Sequence, residues 1–104
     1  MSVKNITTEN FNEEVLNSEK TVLADFWAAW CGPCRMLSPI VDQVAEERQD
    51  IKVVKINIDE QGDLATKYGV MSIPTLMVFK NGQLKQTSVG LIQKEAINEL
   101  VDKA

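Results

Sequence analysis

Apolar and polar positions along the chain fall into two alternating rhythms. "TVLADFW" (21–27) and "IKVVKINID" (51–59) open as short runs of apolar and β-branched residues, the pattern of strands buried inside a sheet. "TLMVFK" (75–80) and "LKQTSVG" (84–90) flank Asn81-Gly82, a strong two-residue hairpin signal. "SVKNI" (2–6) reads as a weaker edge strand. The intervening segments switch to helical spacing. "PCRMLSPIVDQVAEERQ" (33–49) carries one stripe made of Met36, Ile40 and Val44 with Leu37 and Val41. "TTENFNEEVLN" (7–17) predicts a helix capped by Thr7 or Thr8, and "GDLATKYG" (62–69) a short one stopped by Gly69. "QKEAINELVDKA" (93–104) closes the chain as an amphipathic helix. The order βαβαβαββα predicts an α/β sandwich whose sheet is parallel where the crossovers run and antiparallel at the hairpin. Pro39 falls inside the long helix, where it frees the carbonyl of Arg35 and is expected to kink the helix.

Composition narrows the class. The 104 residues fit one domain, 1–104, with enough chain to bury a core without metals or cross-links. A net charge of −4 leaves no electrostatic footprint for nucleic acid or an anionic membrane. The acidic stretch "TENFNEEVLNSE" reads as a solvated helix face, with an acidic docking patch as the alternative. "MSVKNITTEN" has no cationic segment followed by an apolar one, and no apolar run approaches membrane-spanning length. The expectation is a cytoplasmic protein.

In that compartment a cysteine pair is more often catalytic or redox-sensing than structural. The only cysteines are Cys31 and Cys34, in "WCGPC". Zinc needs three or four protein ligands, and two cysteines with no histidine leave only a carboxylate-completed or intermolecular site. As a staple, so short a loop contributes only about 2 kcal/mol before strain in the chain-entropy model. The lack of histidine also removes Cys-His hydrolase chemistry. A reversible dithiol/disulfide pair remains. The strand ending near Trp27 delivers Cys31 to a helix start, with Pro33 in the first turn, where its missing N–H is harmless. Free N–H groups and the helix dipole there favour a thiolate, the nucleophile of disulfide exchange. Gly32 keeps the approach open, and Cys34, one turn in, suits the more buried resolving thiol.

"DFWAAWCGPCRMLSPI", "VKINIDE", "KYGVMSIPTLMVFKNG" and the "VG" of Val89-Gly90, in that order, resemble the thioredoxin family over essentially the whole chain. The resemblance implies that family's fold, a central mixed five-stranded sheet flanked by four helices, and its reaction, the reduction of protein disulfides. It implies a redox-active Cys31–Cys34 disulfide, with Asp25 buried behind it to assist deprotonation of Cys34. Lys55 matches the family lysine near that carboxylate, although a lysine snorkelling from a strand gives the same pattern. The resemblance further implies a cis Ile73-Pro74 bond beside the cysteines, and a flat apolar docking patch of Trp30, Gly32, Pro33, Ile73, Pro74 and Gly90. It also implies that Trp27 packs beneath the motif. Leu91 and Gly62 depart from common family residues without touching the chemistry. No bound cofactor or metal is implied. The implied partners of this monomer are disulfide-containing proteins and a recycling reductase, the NADPH-dependent flavoenzyme thioredoxin reductase. An oxidase or isomerase of the same fold, and a non-catalytic binding subunit, are the competing readings.

Overall fold

The computed structural model describes residues 3–104. Five strands form one sheet: β1 (Val3–Asn5), β2 (Thr21–Trp27), β3 (Ile51–Asn57), β4 (Thr75–Lys80) and β5 (Gln83–Val89). Their spatial order is β1-β3-β2-β4-β5, with β1, β3 and β2 mutually parallel and β4 and β5 antiparallel to their neighbours. Four helical segments accompany them: a π-helical turn (Asn12–Leu16), α1 (Gly32–Glu47), α2 (Gly62–Lys67) and α3 (Lys94–Asp102). The mixed sheet follows the expected plan. The expected edge strand is found at Val3–Asn5, and Ser2 lies outside the described residues.

The three inner strands are covered on both faces, which is why their sequences read as nearly continuous apolar runs. Val22, Ala24 and Phe26 of β2 face one core, with Phe11, Val15 and Leu64 from the π-helical turn and its surroundings and from α2. Leu23, on the opposite face, packs with Leu37, Val41 and Val44 of α1 and with Ile97 and Val101 of α3. Asp25 shares the Leu23 side by the two-residue alternation of a strand, so a carboxyl group is carried under α1. The hairpin turns through Asn81 (φ 55°) and Gly82 (φ 77°), the paired positive φ values of a type I′ turn.

Two local expectations change. Met36 does not join the buried stripe: it is 62% exposed, and Ile40 is half-buried. The stripe runs through Cys34, Leu37, Val41, Val44 and Ala45, and Met36 stands about 100° round the helix from Leu37. α1 continues unbroken through Pro39. The first helix is also shorter than its pattern. Thr7 Oγ1 accepts from Asn10 N–H (3.4 Å) while Thr7 N–H donates to Asn10 Oδ1 (2.8 Å), so residues 7–10 close a turn of their own. Helical structure starts only at Phe11 and ends with Asn17 N–H donating to the Asn12 carbonyl. Thr8 bonds Gln61 instead of capping. Glu14, read as part of a solvated face, is half-buried between Lys4 (3.2 Å) and Lys52 (3.0 Å).

Candidate active site

β2 ends at Trp27, and four residues later the chain reaches Cys31, the N-cap of α1, in extended conformation (φ −91°, ψ 113°). Pro33 follows inside the first turn, where α1 needs no N–H from it. Cys31 and Cys34 are joined as a disulfide, their Cα atoms 5.2 Å apart. The Cys34 N–H donates to Cys31 Sγ (3.2 Å), and the Arg35 N–H donates to the Cys31 carbonyl (3.2 Å). Cys31 thus occupies the position where a helix presents its unpaired N–H groups to negative charge. Overall exposure does not separate the two residues, since Cys31 is 5% and Cys34 3% exposed. Their neighbours do. Cys31 Sγ lies 3.8 Å from the Ile73 carbonyl oxygen, on the side of the 71–74 loop. Cys34 lines a cavity of about 130 Å³ with Asp25, Trp27, Arg35, Ser38 and Lys55.

Asp25 is 1% exposed and its Oδ1 has no hydrogen-bond partner among the described residues. Burial pushes its carboxyl up to about 6, with the Lys55 charge working against the rise and Asp42 adding to it. Asp25 and Lys55 are direct neighbours across β2 and β3. Even so, Lys55 Nζ donates to Ser38 Oγ and pairs with Asp42 Oδ1 at 3.1 Å. Neither Ser38 nor Asp42 stood out in the sequence. Their i, i+4 spacing on α1, beside the apolar stripe, is the signal that marks them.

The remaining residues gather around the disulfide. Ile73 and Trp27 pack against Ala28, Cys31 and Cys34. The Ile73-Pro74 bond is cis, and the Pro74 carbonyl accepts from the Gly90 N–H (2.8 Å), so that Gly90 is held beside the loop. Gly90 has φ +105°, a backbone conformation that side chains resist. Trp30 is 67% exposed and its Nε1 donates to Asp59 Oδ2 (2.9 Å), which pins the ring near the motif. A Cβ at Gly32 would meet no atom within 4 Å, so the approach past it is open. Asp59 was missed because its contact with Trp30 spans 29 residues of sequence.

A family model described as thioredoxin matches residues 2–103. The chain belongs to the thioredoxin family. The thioredoxin of Rickettsia prowazekii (strain Madrid E) is 50% identical over 103 residues, 98% of each chain. That of Bacillus subtilis (strain 168) is 51% identical over 104 residues, covering 99% of this chain and 98% of its own. The thioredoxin of Porphyra purpurea is 50% identical over 104 residues, 99% of this chain and 97% of its own. As a thioredoxin-family protein it is a thiol-disulfide oxidoreductase. It reduces protein disulfides through the reversible Cys31–Cys34 pair. Its substrates are disulfide-bearing proteins, and a reductase returns the electrons. Among the described residues no helix is long and apolar enough to cross a membrane.

Proposed function

We propose that the two cysteines divide the reaction, with Cys31 attacking and Cys34 resolving. The Cys31 thiolate attacks one sulfur of a target disulfide, forming a Cys31–target bond while the second target sulfur leaves as a thiolate and is protonated from solvent. Cys34 then loses its proton towards Asp25 and attacks Cys31 Sγ. The mixed disulfide breaks, the first target sulfur leaves as a thiolate that takes up the proton held by Asp25, and two electrons have passed to the target. Cys31 and Cys34 end joined.

The observation that carries this reading is the different surroundings of two buried cysteines. Cys31 receives a helix N-terminal N–H and faces the 71–74 loop, whereas Cys34 faces the Asp25 cavity. A volume of about 130 Å³ holds water, and Asp25, Ser38 and Lys55 supply the polar partners water needs, so a solvent molecule is able to relay the proton. Trp30, Ile73, Pro74 and Gly90 form the docking surface, with the Ile73 backbone ready to pair with an extended target segment. Gly32 and Pro33 set the redox balance by placing no charge beside Cys31, and Lys55 tunes Asp25. The recycling partner is an NADPH-dependent flavoenzyme. The protein works as a cytoplasmic monomer in which residues 1–104 act as one domain. Reduced protein treated with limiting iodoacetamide tests the division: alkylation at Cys31 with Cys34 spared supports it, and alkylation first at Cys34 contradicts it.

A further inference from the structure

Arg35, Ser38 and Asp42 succeed one another at spacings of three and four along α1, so they form a polar stripe on one side of the helix. Arg35 and Ser38 line the Asp25 cavity, and Asp42 reaches the same place through Lys55. An ammonium group has three N–H donors and a freely turning tip. Lys55 directs its donors to Ser38 Oγ and Asp42 Oδ1, although Asp25 is its register partner on β2. Asp25 Oδ1 is left unpaired a strand away.

We propose that Ser38 and Asp42 are positioning residues that hold the Lys55 ammonium against α1 and keep it from closing an ion pair with Asp25. Their functional meaning rests on Asp25 being the proton acceptor for Cys34. A carboxylate locked to an ammonium is a poor base near neutrality, while an unpaired buried one takes up a proton readily. The charged and titratable groups around Asp25 are few. Lys55 comes from β3, Arg35 and Asp42 from α1, and Cys34 adds its thiol once reduced. β4 offers only Leu76 opposite. Arg35 is already engaged, its Nη1 donating to the Ala29 carbonyl at 2.9 Å. The Lys55 side chain is only 14% exposed, so a donor released by Ser38 has little water to turn to and finds Asp25 Oδ1 instead.

Ser38 is the decisive position because it carries no charge of its own. The Asp25 carboxyl carbon is to be titrated by NMR in the oxidised protein, where no cysteine titrates and the curve belongs to Asp25 rather than to a coupled pair. Ser38→Ala should lower the midpoint by about one pH unit as Lys55 turns to Asp25. Ser38→Thr keeps a hydroxyl and should restore it. In a Lys55→Met background Ser38→Ala should have no effect. An unchanged midpoint in Ser38→Ala overturns the proposal, as does a shift that persists without Lys55. The pH dependence of mixed-disulfide release is read in parallel. A midpoint that moves while the release profile stays put upholds the tether and sinks Asp25 as acceptor instead.

Discussion

Asp25 and Lys55 are paired residues of adjacent parallel strands, yet their side chains do not pair: Lys55 turns to Asp42 at 3.1 Å and Asp25 keeps an unpartnered oxygen. The sheet places the two together, and α1 draws them apart. A carboxyl group that burial has raised to about 6 is thereby kept next to Cys34, ready to change protonation near the pH at which the exchange must work.

Replacing Asp25 by Asn should therefore slow release of the mixed disulfide near neutral pH, by up to roughly a hundredfold. In the native protein the release rate should rise as pH passes about 6 and Asp25 ionises. The variant should lack that rise. Single-turnover release followed between pH 5 and 8, a range of roughly one to two units around the titration, checks this. An Asn variant that keeps the rise removes Asp25 from the step.

The same carboxyl sets a pH dependence of stability. Its folded value, about 6, lies above the ordinary 3.8, so between those two values the native state holds a proton that the unfolded chain has released. Stability contributed by the protonated group is fully present below pH 3.8 and is lost as pH rises through 6. The loss amounts to about 3 kcal/mol, at 1.36 kcal/mol per unit. Asp25→Asn should flatten that decline and leave the oxidised protein more stable at pH 7. Denaturant unfolding at pH 4 and pH 7 measures it, and a native protein with the same stability difference as the variant would exclude the effect.

Trp30 tests the docking surface. The ring is mostly exposed and held by Asp59, so removing it leaves no cavity in the core. Trp30→Ala should leave thermal stability nearly unchanged but raise KM for a protein disulfide about tenfold, the loss of one aromatic anchor worth 1–2 kcal/mol. Reduction of a small disulfide such as dithiobis(nitrobenzoate) should change far less. Equal losses on both substrates would place Trp30 in the chemistry instead of in docking.

Much of this was legible in the residues. Runs such as "TVLADFW" betray strands buried on both faces, and Asn81-Gly82 demands a turn that few other pairs adopt so easily. The cysteine spacing at a strand-to-helix passage, with no histidine to compete, already points to disulfide exchange. What stayed hidden depends on contacts between distant segments. Ser38 and Asp42 gain meaning only when β3 brings Lys55 under α1. Met36 matches a helical repeat as well as Leu37 does, and only the side on which the sheet lies decides between them. The Thr7–Asn10 turn replaced a helical start because its two side chains satisfy each other's backbone. Relative burial does not distinguish Cys31 from Cys34, which differ in neighbours and not in exposure.

Pro33 bears on the direction of electron flow. Gly32 and Pro33 put no charge beside Cys31, and the chain contains no histidine. A cation at position 33 would stabilise the thiolate, favour the dithiol form and make the protein more oxidising. Pro33→His should raise the reduction potential, and about 30 mV corresponds to 1.4 kcal/mol in this two-electron couple. Equilibration with glutathione measures it. A potential that stays put or falls would show that the intervening pair does not set the direction.

The division of labour between Cys31 and Cys34 is tested most directly by trapping. Cys34→Ser and Cys31→Ser are each reduced, mixed with a disulfide-bearing protein and analysed by mass spectrometry under non-reducing conditions. Cys34→Ser should accumulate a stable adduct bonded through Cys31, because attack is intact and resolution is lost. Cys31→Ser should yield no adduct. A target captured on Cys34, with Cys31→Ser as the trapping variant, would contradict the assignment.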